Sequence, residues 1–361
     1  MKNIVRVGIL GGGNILGAHA PAFMKLRDVC TVTIVAEPDE GKSARIRQLL
    51  GDDVRIVPDY HDVICDPDVD AVDILLPHDM HMPVTVAAAE AGKPVLVEKV
   101  MALNVYECDR MIEACDKAGV SLTVCHDRRY HGEWMALKDV VDSGALGEIL
   151  YWKLEHNQNV CMPEGTWIRS YNRLGGGAIM SCLTHQIDAL RWYDGDVDSV
   201  TCMTKTVPER MEGEAMGVVT AQMKSGALAH LSINWMTHSH NTANGLWYEL
   251  NQVCGTKGEA YYMSGKGTYV LLYDEAEANR EWTFGDAGCG NAFKKVESGT
   301  WSGHDHCIEE WVKLMRGMNA QITTSGRECR GTVEVAEAAY LSVNTGKAIS
   351  LPITPQPWRD R

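Results

Sequence analysis

The chain has 361 residues, of which 45% are hydrophobic and 23% charged, and its formal net charge is −14. This length exceeds one ordinary core and favours two domains, and the acidic balance argues against binding to nucleic acid or an anionic membrane surface. No apolar run of about eighteen residues is present to span a bilayer. The twelve cysteines stand singly, without a Cys-x-x-Cys pair, which predicts reduced thiols in a cytoplasmic protein.

The N-terminal stretch predicts a strand, a glycine turn and a helix. Residues 5–10 are mostly apolar, residues 11–13 are all glycine, and residues 18–26 form the predicted helix. Free backbone N–H groups and the positive end of a helix dipole meet at such a turn, which suits the pyrophosphate of a dinucleotide. The pattern Gly-x-Gly-x-x-Gly counted from Gly11 is imperfect, because Leu16 stands where the third glycine belongs. We predict cofactor contacts at Gly11, Gly13, Asn14 and Ile15.

A second predicted strand, residues 31–36, ends in Glu37. An acidic side chain at this point accepts the ribose hydroxyls of NAD and repels the 2′-phosphate of NADP. Lys42 and Arg45 follow on the next helix and weaken that discrimination. The sequence therefore favours NAD.

Strands and helices alternate through the rest of the first half. Further strands are predicted at 54–57, 71–76, 94–97 and 120–125, with helices at 59–64, 84–91 and 105–118. This alternation predicts a doubly wound parallel sheet, a Rossmann domain over residues 1–125. The strand at 94–97 delivers Glu98 and Lys99 to its carboxyl end, where parallel sheets bind their ligands. His78 and His81 lie in a predicted loop without a third ligand, so we expect no metal.

The second half predicts an α+β domain over residues 126–361 with a large, open, mostly antiparallel sheet. Strand-like segments occur at 149–157, 198–204, 216–223, 227–235, 247–254 and 269–273. Glycine-rich surface loops are predicted at 285–290 and 298–303. The last helices are predicted at 307–318 and 332–343. The sequence leaves open whether they pack on the second domain or back on the first.

The order of several motifs along the chain indicates a protein family. They are the glycine turn, Glu98-Lys99, His126-x-Arg128-Arg129-Tyr130, a triple glycine followed eight residues later by His185 and then Asp188, and Gly-Thr-Lys-Gly at 255–258. In order and spacing they resemble the Gfo/Idh/MocA oxidoreductases, the glucose–fructose oxidoreductase and inositol dehydrogenase family. The resemblance covers nearly the whole chain. It implies NAD(P)-dependent oxidation or reduction of a sugar or polyol hydroxyl, by dimers or tetramers built through the open sheet.

The resemblance also implies roles by position. Lys99 holds the reacting hydroxyl near the nicotinamide and His185 is the catalytic histidine, with Lys99 itself as the alternative base. The alternatives without catalysis are an ion pair of Lys99 with Glu98 or another carboxylate, and a His185 whose ring is satisfied within the protein interior. Further residues are expected on the cofactor side, namely Leu76, His81, Glu98, Lys99, Arg128, Trp167 and Arg169. Those expected on the substrate side are Lys99, Tyr130, Ser181, His185, Asp188, Trp235 and His238.

The chain departs from the family pattern at two positions. Val100 stands in place of the usual proline after Lys99, and Ser181 in place of the usual aspartate four residues before His185. A serine hydroxyl shifts a histidine pKa less than a carboxylate does. We therefore expect the pKa of His185 to stay near its ordinary value and Lys99 to carry most of the alkoxide stabilisation.

Three functions remain open at this point. The first is an NAD-dependent sugar or glycoside dehydrogenase, including a narrower version that oxidises a glucosyl C3 hydroxyl to a 3-keto sugar. The tryptophan-rich second half is compatible with a sugar or an aglycone. The second is an inositol or other cyclic polyol dehydrogenase, and the third is a non-catalytic NAD-binding regulator.

Overall fold

The computed structural model describes residues 4–237, 247–273 and 293–357. These residues form two sheets, of which the first is parallel throughout and has the strand order β3-β2-β1-β4-β5-β6. Its strands are β1 (Val5–Leu10), β2 (Cys30–Ala36), β3 (Arg55–Val57), β4 (Ala71–Ile74), β5 (Val95–Glu98) and β6 (Leu122–Cys125). This order is that of a Rossmann domain and confirms the predicted fold.

Helices cover both faces of this sheet, and they are α1 (Leu16–Lys25), α2 (Ser43–Leu50), α3 (Tyr60–Ile64), α4 (His78–Glu90) and α5 (Val105–Ala118). Strands β4, β5 and β6 are buried along their whole length, as expected of strands covered on both faces. The predicted loop over residues 78–83 is wrong, because α4 already begins at His78 and includes Pro83. A proline costs a helix one hydrogen bond, and the burial of His78 and His81 against neighbouring elements outweighs that loss.

The second sheet has the order β14-β13-β12-β11-β7-β10-β9-β8-β15 in the described residues. Only the neighbours β7 and β10 run parallel within it. Its strands are β7 (Ile149–Gln158), β8 (Val197–Thr206), β9 (Glu214–Met223), β10 (Leu228–Asn234), β11 (Trp247–Gly255), β12 (Gly258–Met263), β13 (Gly267–Leu272), β14 (Lys294–Lys295) and β15 (Ile349–Ser350). The predicted mostly antiparallel sheet is confirmed.

Helices lie against one face of the second sheet, and no described helix covers the other face, which is called the open face below. The helices after β6 are α6 (Gly132–Asp142), α7 (Tyr171–Leu174), α8 (Thr184–Asp194), α9 (Gly303–Met315) and α10 (Gly326–Thr345). The sequence analysis missed α6 and β12. Strand β12 begins at Gly258, which pairs with Gly255 of β11 across the hairpin turn at Thr256-Lys257. Its short length hid its alternation of buried and half-buried residues.

The last helices return to the first domain. Cys307, Ile308 and Trp311 of α9 belong to the same apolar cluster as Val7 and Ile9 of β1. No helix in the described ranges is long and apolar enough to cross a bilayer. His238 and the predicted loop at 285–290 lie outside the described residues.

Candidate active site

The glycine turn after β1 has the geometry of a dinucleotide cradle. Gly11 has φ +111°, and a Cβ there would lie 2.4 Å from the carbonyl oxygen of Leu75, so only glycine fits. A Cβ at Gly13 would meet nothing within 4 Å, which leaves open space beside the turn. Helix α1 begins next to that space without a side-chain cap. Its N-terminal end is therefore free to face an anionic group.

Glu37 lies directly against this turn. Its Oε2 accepts the Gly12 N–H at 2.9 Å, and its Oε1 accepts from Lys42 Nζ at 3.0 Å. Arg45 donates to the carbonyl oxygen of Gly13 at 2.9 Å. The turn, the acidic residue and the two cations therefore form one connected group that fits an adenosine ribose beside a pyrophosphate.

Lys99 extends from the carboxyl end of β5 towards the second domain. Its Nζ donates to the backbone carbonyl of Ser181 at 2.8 Å, and its peptide bond to Val100 is cis. Within the described ranges no carboxylate lies at salt-bridge distance from Nζ, and Glu98 instead bonds to His19 Nε2 at 2.8 Å. The predicted alternative of a Lys99–Glu98 ion pair is therefore wrong.

The triple glycine at 175–177 allows the chain to lie against two buried side chains, Tyr340 and Glu214. A Cβ on Gly176 would lie 2.1 Å from the Tyr340 hydroxyl, and one on Gly177 would lie 2.4 Å from the backbone nitrogen of Glu214. The Tyr340 hydroxyl accepts the Gly177 N–H at 3.1 Å and donates to Glu214 at 2.8 Å. A π-helical turn (Ile179–Leu183) follows and leads into α8, so this contact fixes where Ser181 and His185 lie.

His185 is buried at the start of α8, and its Nδ1 lies 3.7 Å from Oδ1 of Asp127. Burial, followed by the charges of Lys99 and Arg128, holds its pKa well below the ordinary value. The expectation that this pKa stays near its ordinary value is wrong, because it considered only the absent carboxylate at position 181. At neutral pH the imidazole is uncharged and able to accept a proton.

A second histidine, His156 of β7, lies beside His185 with its ring centroid 6.4 Å away. Its Nδ1 is 3.3 Å from Glu249 Oε1. Burial opposes its charge, but the neighbouring Cys182 and Glu249 outweigh this and raise the pKa of His156 to about 9. Burial also opposes the Cys182 thiolate, yet His156 and Lys99 lower the pKa of that thiol to about 7.

Comparison with known protein families identifies the architecture. The family described as "Oxidoreductase family, NAD-binding Rossmann fold" matches residues 5–126, and the "GFO/IDH/MocA C-terminal domain" matches residues 134–261. The chain belongs to the GFO/IDH/MocA oxidoreductase family. It is accordingly an NAD-binding oxidoreductase.

Named members of the GFO/IDH/MocA family show how far the similarity extends. The chain is 29% identical over 276 residues to a myo-inositol 2-dehydrogenase of Thermotoga maritima, which covers 75% of this chain and 79% of that protein. The WlbA dehydrogenase of Chromobacterium violaceum, solved with NADH and UDP-GlcNAcA, superposes with a TM-score of 0.79 at 25% identity over 98% of each chain. A levoglucosan dehydrogenase solved with NADH and L-sorbose gives a TM-score of 0.82 at 20% identity over 97% of this chain and 100% of that one.

Two further residues predicted on the cofactor side, His81 and Trp167, lie in or against helix α4 of the first domain. The His81 ring lies between the carbonyl oxygens of Val100 and Leu76, 2.8 Å from each. The Trp167 ring lies 5.0 Å from that of His78, at the contact of α4 with the second domain. These residues shape the loops that follow β4 and β5, and their contact with NAD stays a prediction.

Four residues that were predicted to contact the cofactor or the substrate are held by other parts of the protein. Arg169 donates to the backbone carbonyls of Met162 and Pro208. The Tyr130 hydroxyl accepts the Thr323 N–H at 3.0 Å, and the Trp235 side chain is fully buried in the core. Burial opposes ionisation of Asp188, but its bidentate pair with Arg129 prevails and lowers its pKa to about 2. These contacts give the four residues structural roles, and their contact with cofactor or substrate stays a prediction.

Two buried clusters combine donor atoms of the kinds that bind metals. One is His19, Glu98, Cys125 and His304, and the other is His126, Asp188 and Cys329. In the first, His19 already bonds to Asp73 and Glu98, each at 2.8 Å. In the second, Asp188 is paired with Arg129. The carboxylates of both clusters thus have protein partners.

The sequence analysis did not single out five residues that lie around the candidate site, namely Asp127, His156, Cys182, Glu249 and His304. Two signals were available, since Asp127 follows a buried strand of the parallel sheet and Cys182 adjoins Ser181. His156 and Glu249 alternate inward along the second sheet, and no local pattern separates them from ordinary polar residues.

Proposed function

We propose that this chain is an NAD-dependent dehydrogenase that oxidises a secondary ring hydroxyl of a sugar or glycoside. The observation that supports it is the contact of Lys99 with the π-helical turn that leads into the helix of His185. Lys99 Nζ donates to the Ser181 backbone carbonyl at 2.8 Å. After burial, the charge of Lys99 is the next cause that holds the pKa of His185 below its ordinary value. A fixed cation beside a neutral base is what removal of an alcohol proton needs.

The two side chains divide the chemistry. NAD bound on the Rossmann domain would supply the acceptor for the hydride of the carbinol carbon. Lys99 donates a hydrogen bond to the reacting oxygen and stabilises the negative charge that develops there. His185 accepts the hydroxyl proton at Nε2. The product is a ketone, and the proton of the hydroxyl group ends on the imidazole of His185.

The substrate class rests on what the relatives' names share. The names and ligands of the Thermotoga, WlbA and levoglucosan enzymes all refer to sugars or cyclic polyols. Oxidation at a glucosyl C3 is the narrower version of this proposal, and inositol dehydrogenation is the alternative that the Thermotoga relative favours. We also place the protein in the cytoplasm, since the cysteines within the described ranges are free thiols.

The decisive experiment follows NADH formation with the purified protein across sugars, glycosides and inositols. Lys99→Met should lower kcat by about 10² or more while NAD binding persists, because it removes one electrostatic stabiliser. His185→Asn should lower kcat by roughly 10² to 10⁴, the range for a general base.

Matched controls are Lys117→Met on α5 and His61→Asn on α3, both exposed and remote from Lys99 in the fold. They should retain wild-type turnover. Near-wild-type turnover in both Lys99→Met and His185→Asn would show that the chemistry happens elsewhere. Tight NAD binding without turnover of any compound would instead favour the regulator.

A further inference from the structure

His185 has a buried ring nitrogen, Nδ1, for which the described part of the structure provides no hydrogen-bond partner. Ser181 occupies the family's aspartate position one helical turn earlier, and its hydroxyl lies 3.6 Å from the Cys182 thiol. Leaving a buried polar atom unpaired is destabilising. A partner for Nδ1 is therefore to be sought on another element.

Asp127, in the turn that follows β6, provides a carboxylate at that position. Its Oδ1 lies 3.7 Å from His185 Nδ1, and the side chain is buried. Its other oxygen, Oδ2, accepts from Arg128 Nη1 at 2.8 Å. One oxygen is thus anchored while the other faces the imidazole. Catalytic hydrogen bonds are often long in ligand-free structures and shorten when the substrate binds.

We propose that Asp127 is the positioning residue of His185, replacing the aspartate that Ser181 has displaced. Its Oδ1 accepts the Nδ1–H of the neutral ring, which leaves the Nε2 lone pair for the substrate hydroxyl. The inference rests on the proposed function, because a proton-accepting His185 requires this tautomer. The carboxylate comes from the end of β6 instead of the helix turn before the histidine.

The surroundings of His185 show why one carboxylate matters. The charged groups around it are Lys99 after β5, Arg128 after β6 and His156 on β7, whereas burial lowers the pKa of the neighbouring His126 and leaves that ring neutral. The three charged groups oppose a positive charge on the His185 ring. Within the described ranges Asp127 is the carboxylate at salt-bridge distance from it, so Asp127 is what stabilises the imidazolium formed when the proton arrives.

Asp127 has its own set of charged neighbours. Burial and the repulsion from Glu98 oppose ionisation of Asp127. The charges of Arg128, His304 and Lys99 outweigh both and hold the pKa of Asp127 below its ordinary value. It is therefore a carboxylate at neutral pH. His304 Nδ1 lies 3.6 Å from Oδ2, the oxygen turned away from His185. The competing explanation is that Asp127 acts by holding His304 in place. The test must distinguish this effect from an effect of Asp127 on His185.

The test is ¹⁵N NMR of the histidine rings in the NAD-loaded protein at neutral pH, with the His185 signals assigned from a His185→Gln variant. Wild type should show His185 with its proton on Nδ1. Asp127→Asn should move the ring towards the Nε2–H tautomer, since the amide no longer holds that proton. His304→Gln should leave the tautomer of His185 unchanged.

Kinetics provide the second measurement. Asp127→Asn should lower kcat by about 10² or more with little change in KM, as expected when an amide replaces the carboxylate behind a catalytic histidine. The double variant Asp127→Asn with Ser181→Asp should have a kcat at least tenfold higher than that of Asp127→Asn alone, because it returns a carboxylate to the family position. Denaturant unfolding of each variant checks that the fold is retained.

A wild-type His185 with its proton on Nε2 overturns the proposal, whatever the variants do. So does an Asp127→Asn variant with unchanged tautomer and turnover. If no sugar is oxidised but the tautomer responds as expected, the proposed substrate class fails and the role of Asp127 stands, so the two failures are distinguishable.

Discussion

Glu37 distributes its two carboxylate oxygens between the glycine turn and Lys42. Its side chain is buried against Gly12, so it is fixed before any ligand arrives. A ribose hydroxyl is able to donate to this group, whereas a 2′-phosphate would meet a like charge. Lys42 is already engaged with the carboxylate and so contributes less to attracting a phosphate than the sequence alone suggests.

Replacing Glu37 with Gln should therefore reduce the preference for NAD over NADP about tenfold. The amide oxygen still accepts the Gly12 N–H, while the charge that repels the phosphate is lost, which corresponds to about 1.4 kcal/mol. Direct titration of both cofactors into wild type and variant measures the ratio of Kd values. Glu40→Gln, in the exposed turn that follows, serves as the matched control. Tighter binding of NADP than of NAD by wild type would refute the ribose assignment.

At the scale of elements, the π-helical turn and α8 depend on a contact between distant segments. Glu214 of β9 accepts the Ile179 N–H at 2.9 Å and the Tyr340 hydroxyl at 2.8 Å. Burial raises the pKa of Glu214 to about 7 in spite of these bonds. The folded protein thus retains this proton at pH values where the unfolded chain, with an ordinary value of 4.5, has lost it.

A group whose pKa is raised by folding stabilises the protein below its unfolded pKa, and this contribution is lost as pH rises through the folded pKa. Glu214→Gln removes the titration. The free energy of unfolding of the variant, relative to wild type, should therefore increase by about 3 kcal/mol as pH rises from 4.5 through about 7. Urea unfolding at a series of pH values measures it. Parallel pH profiles for the two proteins would contradict the buried, protonated Glu214.

The same segments show what a sequence does and does not predict. The buried strands and the triple glycine were visible because apolar runs and glycine clusters are local signals. The reason for those glycines was not visible, since Tyr340 lies 163 residues beyond Gly177. Likewise, Asp127 and His185 meet only because β6 and α8 converge. The sequence therefore singled out Lys99 and His185, whose catalytic role stays a prediction, but not the carboxylate beside His185.

At the scale of the molecule, the open face of the second sheet presents a group of exposed apolar side chains. Leu228 of β10 pairs in register with Tyr151 of β7, and Val218 of β9 pairs with Met203 of β8. Their exposed fractions are 54%, 39%, 45% and 82%, respectively. Adjacent apolar side chains on an exposed sheet face are typical of subunit interfaces. The parallel sheet has no such face, because helices cover it on both sides.

Wild type should accordingly be a dimer or tetramer by light scattering at micromolar concentration. The double substitution Leu228→Lys and Val218→Lys places two charges on neighbouring strands of the open face, which should convert the protein to monomers because buried like charges repel and lose their hydration. Val343→Lys, at an exposed apolar position on α10, is the matched control and should leave the mass unchanged. NAD binding by the double variant shows that the Rossmann domain remains folded. A monomeric wild type would mean that the apolar open face serves another partner, and an unchanged mass in the double variant would place the interface elsewhere on the surface.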